Sequence, residues 1–201
     1  MFGSVRSWWL AVVAVLALVA GFALAQFWPG APGDDSAEAG FARDMSSHHA
    51  QAVEMAMLGY TKAENPRLRT LGYDIALTQQ AQIGMMDAWL AEWNLRPTGS
   101  QPKMAWMPDG KKTLSPEGLM PGMASPAELE RLRAATGRDF DILFSQLMLR
   151  HHLGGIHMVD AVVDQADDKA VADFAGSMKA AQQKEIAIFN GLLTEMGAKP
   201  L

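Results

Sequence analysis

Met45-Ser-Ser-His48-His49 and Met148-Leu-Arg-His151-His152 are the two stretches on which the reading of this chain turns. Together they hold four of its five histidines. Each has a Met three residues ahead of its first His, and each is followed at the same distance by another, Met55 and Met158. Histidine and methionine are the neutral side chains that ligate soft and borderline metals. The first question is whether these dyads form a metal site or two polar pieces of core.

Both stretches sit on helical stripes. Phe41, Met45, His48, Ala52, Met55 and Gly59 recur at alternating spacings of four and three, the period of one helix face. Phe144, Met148, His151, Gly155, Met158 and Val162 repeat the pattern 103 residues later. The spacing predicts helix 1 over Phe41–Ala63 and helix 3 over Arg138–Gln165. Glu54 and its match His157 fall on the outward faces, which separates His157 from the dyads.

The same offset relates the helices that follow. Asn65-Pro66 reads as an N-cap with Pro at the first helical position, and Asp167 or Asp168 caps the corresponding helix. Helix 2 is predicted to run to Trp93, with Leu68, Leu71, Ile75, Leu77, Ile83, Met86 and Leu90 as apolar positions. Helix 4 is predicted to run to Met196, on Val171, Phe174, Met178, Ile186, Phe189 and Leu193. Leu71 matches Phe174, Gln79 matches Gln182, Gln82 matches Glu185 and Leu90 matches Leu193. Chance similarity rarely keeps register through a helix–turn–helix unit, so the chain is a duplicated helical hairpin. Two such hairpins, about 41–94 and 138–197, imply an all-α four-helix bundle with a long connection at 95–137.

That connection holds six of the ten prolines, counting Pro126 at the start of a short helix over Pro126–Ala135. Ser125 is the N-cap of that helix, Pro126 its first residue and Glu128 its third. The connection also carries two Met-x-x-Met pairs, Met104/Met107 and Met120/Met123. These thioethers are either accessory capture sites for Cu(I) or apolar staples holding the connection on the bundle.

At the other end, residues 29–39 read as a Pro/Gly/acidic linker ahead of a domain at 40–201. Before it, Trp8–Trp28 has no charged residue and is long enough to span a bilayer. Arg6 precedes it and Asp34, Asp35 and Glu38 follow, so the positive-inside rule places the domain outside the cytoplasm. Residues 1–28 are read as an uncleaved signal anchor. The alternative is a signal peptide cleaved after Ala23-Leu24-Ala25, which would leave a secreted or periplasmic protein. The chain has no Cys, so a soft-metal site must use His and Met. It carries 17 Lys and Arg against 22 Asp and Glu, an acidic balance that argues against a nucleic-acid partner. The partners expected are a metal ion and, through the N-terminal segment, a membrane. No protein partner is identified.

Pairing the hairpins about a pseudo-twofold axis brings helices 1 and 3 together. His48, His49, His151 and His152 then converge, with Met45, Met55, Met148 and Met158 lining the same seam. Imidazole and thioether without thiolate suit copper, as Cu(I) or Cu(II), and Cu(I) most of all where Met participates. Gln79, Gln82, Gln182 and Glu185 lie at a level to orient the imidazoles from behind. Asp44 neighbours the first dyad, but its match is Leu147, so it is not counted as a ligand. Against this stand two readings without metal, a helical interaction module of the cell envelope and a structural bundle whose histidines are core hydrogen-bonders. A di-iron oxidase is a minor alternative, since the Glu-x-x-His motif of such centres is missing. No paired carboxylates or Ser/His/Asp set suggest an enzyme.

The sequence also resembles a known family. Phe41, Met45 and His48-His49, then Met120-Pro-Gly-Met123, Phe140-Asp141, Met148 with His151-His152, and Gln182-x-x-Glu185-Ile186 look like the domain of unknown function 305 family. The resemblance covers about 40–198, with Gln82 standing where that family usually has Glu. It implies a ferritin-like fold. It also implies a relationship to extracytoplasmic copper-binding proteins of the CopM type.

Overall fold

The computed structural model describes residues 30–201, together with Val13. The apolar segment Trp8–Trp28 and the Ala23-Leu24-Ala25 motif lie outside the described residues. Among the described residues no helix is long and apolar enough to cross a membrane. The chain divides into Met1–Ala31 and Pro32–Leu201, and the architecture below is that of the second unit.

That unit is helical, with no strand among the described residues. Its helices are α1 (Ala37–Lys62), α2 (Pro66–Glu92), α3 (Pro126–Ala134), α4 (Gly137–Val163) and α5 (Lys169–Glu195), with a single 3-10 turn at Gly110–Thr113. α1 begins a turn before the predicted Phe41. The Ser36 hydroxyl accepts from the Ala39 N–H at 3.1 Å and Glu38 sits in the first turn, so the linker ends at the cap. The predicted caps of the other helices form. Asn65 Oδ1 accepts from the Arg67 N–H, Ser125 and Glu128 make a capping box, and Asp168 Oδ1 accepts from the N–H groups of Ala170 and Val171.

α1 and α2 form one antiparallel hairpin, α4 and α5 the other, and the two meet along α1 and α4. Every residue of both predicted stripes is buried. Leu77, predicted as an apolar core position of α2, is instead 55% exposed. It follows the buried pair Ile75 and Ala76 and points away from the stripe they belong to.

Two carboxylates join the hairpins reciprocally. Glu38, at the start of α1, accepts from the backbone N–H groups of Asp167 (2.8 Å) and Asp168 (3.2 Å), just before α5. Asp141, at the start of α4, accepts from those of Glu64 (3.0 Å) and Asn65 (2.9 Å), just before α2. Both acids are buried, and each ties the start of one hairpin to the turn of the other. They fix α1 and α4 as antiparallel neighbours and make the duplication a spatial pseudo-twofold.

The apolar core is two clusters. One contains Ala52, Met55, Leu71, Ile75, Phe140, Phe144, Met148 and Phe189. The other contains Phe41, Met45, Met86, Met104, Met107, Met120, Met158 and Met178. The histidines lie between them along both α1 and α4, since Met45 and Met158 belong to one cluster and Met55 and Met148 to the other. The connection runs lengthwise along the bundle. Met104, Met107 and Met120 enter the second cluster, while Ala124, Leu129 and Leu132 enter the first.

Candidate metal centre

The four dyad histidines are buried, His48 and His151 at 1% exposure and His49 and His152 at 0%. The rings of His48 and His151 lie face to face across the hairpin interface, centroids 3.7 Å apart and tilted by 35°. His151 and His152 are 6.4 Å apart, and His152 meets the edge of Phe189 at 6.0 Å. The seam predicted from the repeat therefore forms, and it brings imidazoles of both hairpins into contact.

Three of the four rings are held from one side by a hydrogen bond. His48 Nε2–H donates to the Pro121 carbonyl at 3.0 Å. His49 Nε2–H donates to Gln82 Oε1 at 2.8 Å, and His152 Nε2–H donates to Glu185 Oε2 at 2.6 Å. His151 is placed by its stacking on His48. A neutral imidazole has one N–H and one lone pair, so fixing the N–H fixes where the lone pair points. Every ring also has a nitrogen buried without a partner: His48 Nδ1, His49 Nδ1, His151 Nε2 and His152 Nδ1.

Burial pushes His48 down to about 4, partly offset by the bond to Pro121. Burial, then the neighbouring His48, pushes His49 down to about 3. Burial and the three other imidazoles take His151 well below its ordinary value. These three rings are neutral at physiological pH, the form that ligates a metal.

The outer residues follow the repeat in part. Gln82 and Glu185 make equivalent bonds to His49 and His152, one through an amide and the other through a carboxylate. Gln79 and Gln182 are both buried, and each has an unpartnered side-chain oxygen. Gln182 fits because residue 155 is glycine: a Cβ there would stand 2.6 Å from Gln182 Oε1. Met45, Met55, Met148 and Met158 are fully buried, Met45 and Met158 to one side of the imidazole level and Met55 and Met148 to the other. Among the described residues no group of three or more His, Asp or Glu is spaced to hold a metal ion. An ion at this level would take imidazole from the two dyads together with thioether sulfur.

The connection closes over this site as a strap at Met120–Ala124. The side chain of Gln51 grips Ala124 twice, accepting from its N–H at 2.7 Å and donating to its carbonyl at 2.9 Å. On α4 the match of Gln51 is Gly154, where a Cβ would fall 1.9 Å from the Pro121 oxygen. Glu128 and Arg150 brace the strap, and the guanidinium holds Glu128 at about 2. Asp44 accepts from the Met104 N–H at 2.7 Å and from Trp106 Nε1–H at 2.9 Å, so it anchors the connection. Burial raises its carboxyl above the ordinary range, against the pull of both bonds. Met104, Met107 and Met120 are buried and Met123 is half-buried. His157 is exposed and pairs with Asp109, and Glu54 pairs with Arg133, both on the outward faces predicted for them.

The sequence reading did not single out Glu38 and Asp141 as a pair, or Gln51. The first pair was within reach, because an acid stands three residues ahead of Phe41 and of Phe144.

The family model described as "Domain of unknown function (DUF305)" matches residues 38–193. A candidate secreted DUF305 protein from Streptomyces coelicolor has a similar crystal structure, with TM-score 0.77 at 41% identity, over 84% of this chain and 99% of that one. A DUF305 fragment from Deinococcus radiodurans follows, with TM-score 0.68 at 30% identity, over 83% and 99%. CopM in its Cu(II)-bound form is similar with TM-score 0.63 at 26% identity, over 80% and 97%. No curated protein matches the chain.

Proposed function

The chain belongs to the DUF305 family, and on that premise we propose that it is an extracytoplasmic copper-binding protein serving metal handling rather than catalysis. The ion is held at the level of His48, His49, His151 and His152, with Met45, Met158, Met55 and Met148 as the thioethers within the same seam. The observation that carries this reading is the set of four buried, unpartnered imidazole nitrogens. Histidines serving only as core hydrogen-bonders would have both nitrogens satisfied, because a buried unmade hydrogen bond costs about 1–3 kcal/mol. Here His48, His49 and His152 are bonded on one side only, which is how a metal-ligating imidazole is oriented.

Further support is chemical. Neutral imidazole and thioether in a buried seam suit Cu(I) better than Zn(II), which more often recruits thiolate or carboxylate. The similarity to CopM, solved with Cu(II), points to the same class of ion. Placement outside the cytoplasm rests on the Trp8–Trp28 segment, whether it stays as an anchor or is cleaved.

Metal analysis of the purified protein tests the reading. Copper that survives dialysis with nitrogen in its shell is expected, and so is the loss of that nitrogen-ligated copper in the variant His48→Ala/His49→Ala/His151→Ala/His152→Ala. No uptake of Cu(I) or Cu(II) at micromolar concentration would overturn it. So would equal retention by that variant.

A further inference from the structure

The two ends of this bundle are related by the same pseudo-twofold, yet they are filled with different chemistry. At one end the buried core holds Phe140, Phe144 and Phe189 with only Met55 and Met148. At the other, seven methionines form part of a single cluster, each no more than 4% exposed. Every long helix gives one, and the connection gives three.

We propose that this end is a second soft-metal site, made of thioether sulfur alone and selective for a monovalent ion: Cu(I), or Ag(I) as its probe. It rests on the copper reading above for its biological sense. It is built, however, on five residues that reading does not require, Met86, Met104, Met107, Met120 and Met178.

Methionine is a common filler of irregular cores, so the bland explanation must be met first. The duplication supplies an internal control. Met86 corresponds to Phe189 and Met178 to Ile75. Those two partners fill equivalent positions at the other end and are fully buried there. The fold therefore packs these places without sulfur, and volume alone does not select methionine at both.

The connection adds a second observation. Met104 has φ +62°, a left-handed conformation uncommon for a non-glycine residue. Such a residue persists only where its surroundings over-determine it. Here the Asp44 carboxylate holds the Met104 N–H, and the side chain is driven into the cluster with 0% exposure. An ordinary staple would not need that backbone.

The chemistry sets the ion. Thioether is neutral, polarisable and a poor partner for hard cations. Burying an ion is opposed by lost hydration, which grows with the square of its charge, so neutral sulfur in an apolar pocket favours a single charge over a double one.

The test loads Ag(I) onto the purified full-length protein and counts bound ions after desalting. The four-histidine variant should keep one ion per chain, with only sulfur in the first shell by X-ray absorption. The variant M86L/M104L/M107L/M120L/M178L should lose that ion and retain the imidazole-bound one. Leucine conserves volume closely enough for this second protein to fold. If the histidine variant binds nothing and the leucine variant binds as wild type does, the thioether site is overturned and the imidazole site stands. If wild type binds no Ag(I), both fall. Should the histidine variant not fold, doubly loaded wild type decides: a sulfur-only component supports the site, and nitrogen in the shell of both ions overturns it.

Discussion

The hairpin of α1 and α2 and the hairpin of α4 and α5 share one plan, and they differ where the single connection touches them. Asp44 and Gln51 on α1 grip Met104, Trp106 and Ala124, whereas their matches on α4 are Leu147 and Gly154. Leu147 is ordinary core, and Gly154 leaves room for Pro121. One half holds the strap by hydrogen bonds, and the other makes space for it. A chain that crosses a symmetric bundle only once must break the symmetry in this way. What both halves keep is the Met-x-x-His-His stretch, the glutamine one face away and the acid that clasps the opposite hairpin. The conserved part of the duplication is thus the site and its frame.

The reciprocal clasp gives the largest expected effect. Asp141→Ala and Glu38→Ala each leave two backbone N–H groups without their charged acceptor, and each should lower unfolding free energy by about 3 kcal/mol. Urea unfolding of both variants measures this. Similar losses support equivalent roles, and a loss confined to one would break the comparison there.

For each buried histidine, acid should act on the metal-free protein by nearly as much. Unfolded, His48 and His49 take up protons near the ordinary value of 6.5, whereas folded they resist until about 4 and about 3. The unfolded state therefore binds more protons in between. Stability is complete above pH 6.5 and falls as pH drops towards and through 4. His48 alone corresponds to about 3 kcal/mol across that window. Unfolding measured from pH 7 to pH 4 should show the decline, and the His48→Gln/His49→Gln variant should flatten it. A wild-type profile flat over this range would contradict the neutral, buried assignment.

Next comes the strap. Gly154→Ala puts a methyl group against the Pro121 carbonyl, and it should cost about 2 kcal/mol by forcing the backbone apart. Gln51→Ala releases the strap from the other hairpin at about 1 kcal/mol for its lost pair of hydrogen bonds. Thermal unfolding of the two variants ranks them, and the reverse order would mean the strap is held chiefly from α1.

The smallest effect sharpens the one chemical difference at the site itself. Glu185→Gln makes the second half resemble the first, with an amide behind His152 as behind His49. Copper affinity should fall by about tenfold, the lower end of the range for outer partners of a ligating histidine. Gln82→Glu should move it the other way. A competition titration against a copper chelator reads both, and unchanged affinity in both would remove these groups from the account.

Much of this was legible in the sequence because both levels of signal agreed. The alternating spacing of four and three assigned every residue of the two stripes to a buried face. The shared offset paired Met45 with Met148 and His48 with His151, and predicted that the hairpins would meet through them. Asn65-Pro66 and Ser125-Pro126 marked helix starts because caps are local chemistry. What escaped was non-local. Periodicity says which face is buried and not what covers it, so the grip of Gln51 on Ala124 and of Asp44 on Met104 had no local signature. The burial of Gln182 depends on Gly155 across the hairpin. Leu77 looked like core because it is apolar, although its position on α2 faces outward. The unequal chemistry of the two ends was present in the composition, but it became visible only once the clusters showed which methionines meet.

The central claim is one imidazole centre shared by both hairpins. Copper stoichiometry and affinity of wild type, His48→Ala/His49→Ala and His151→Ala/His152→Ala test it most directly, with the five methionines of the second proposed site changed to leucine in all three proteins. A shared centre predicts that either pair of substitutions abolishes tight binding, because each leaves only half of the ligands. If each pair instead removed half of the bound copper and left the rest at wild-type affinity, the two dyads would be independent sites and the shared centre would be wrong.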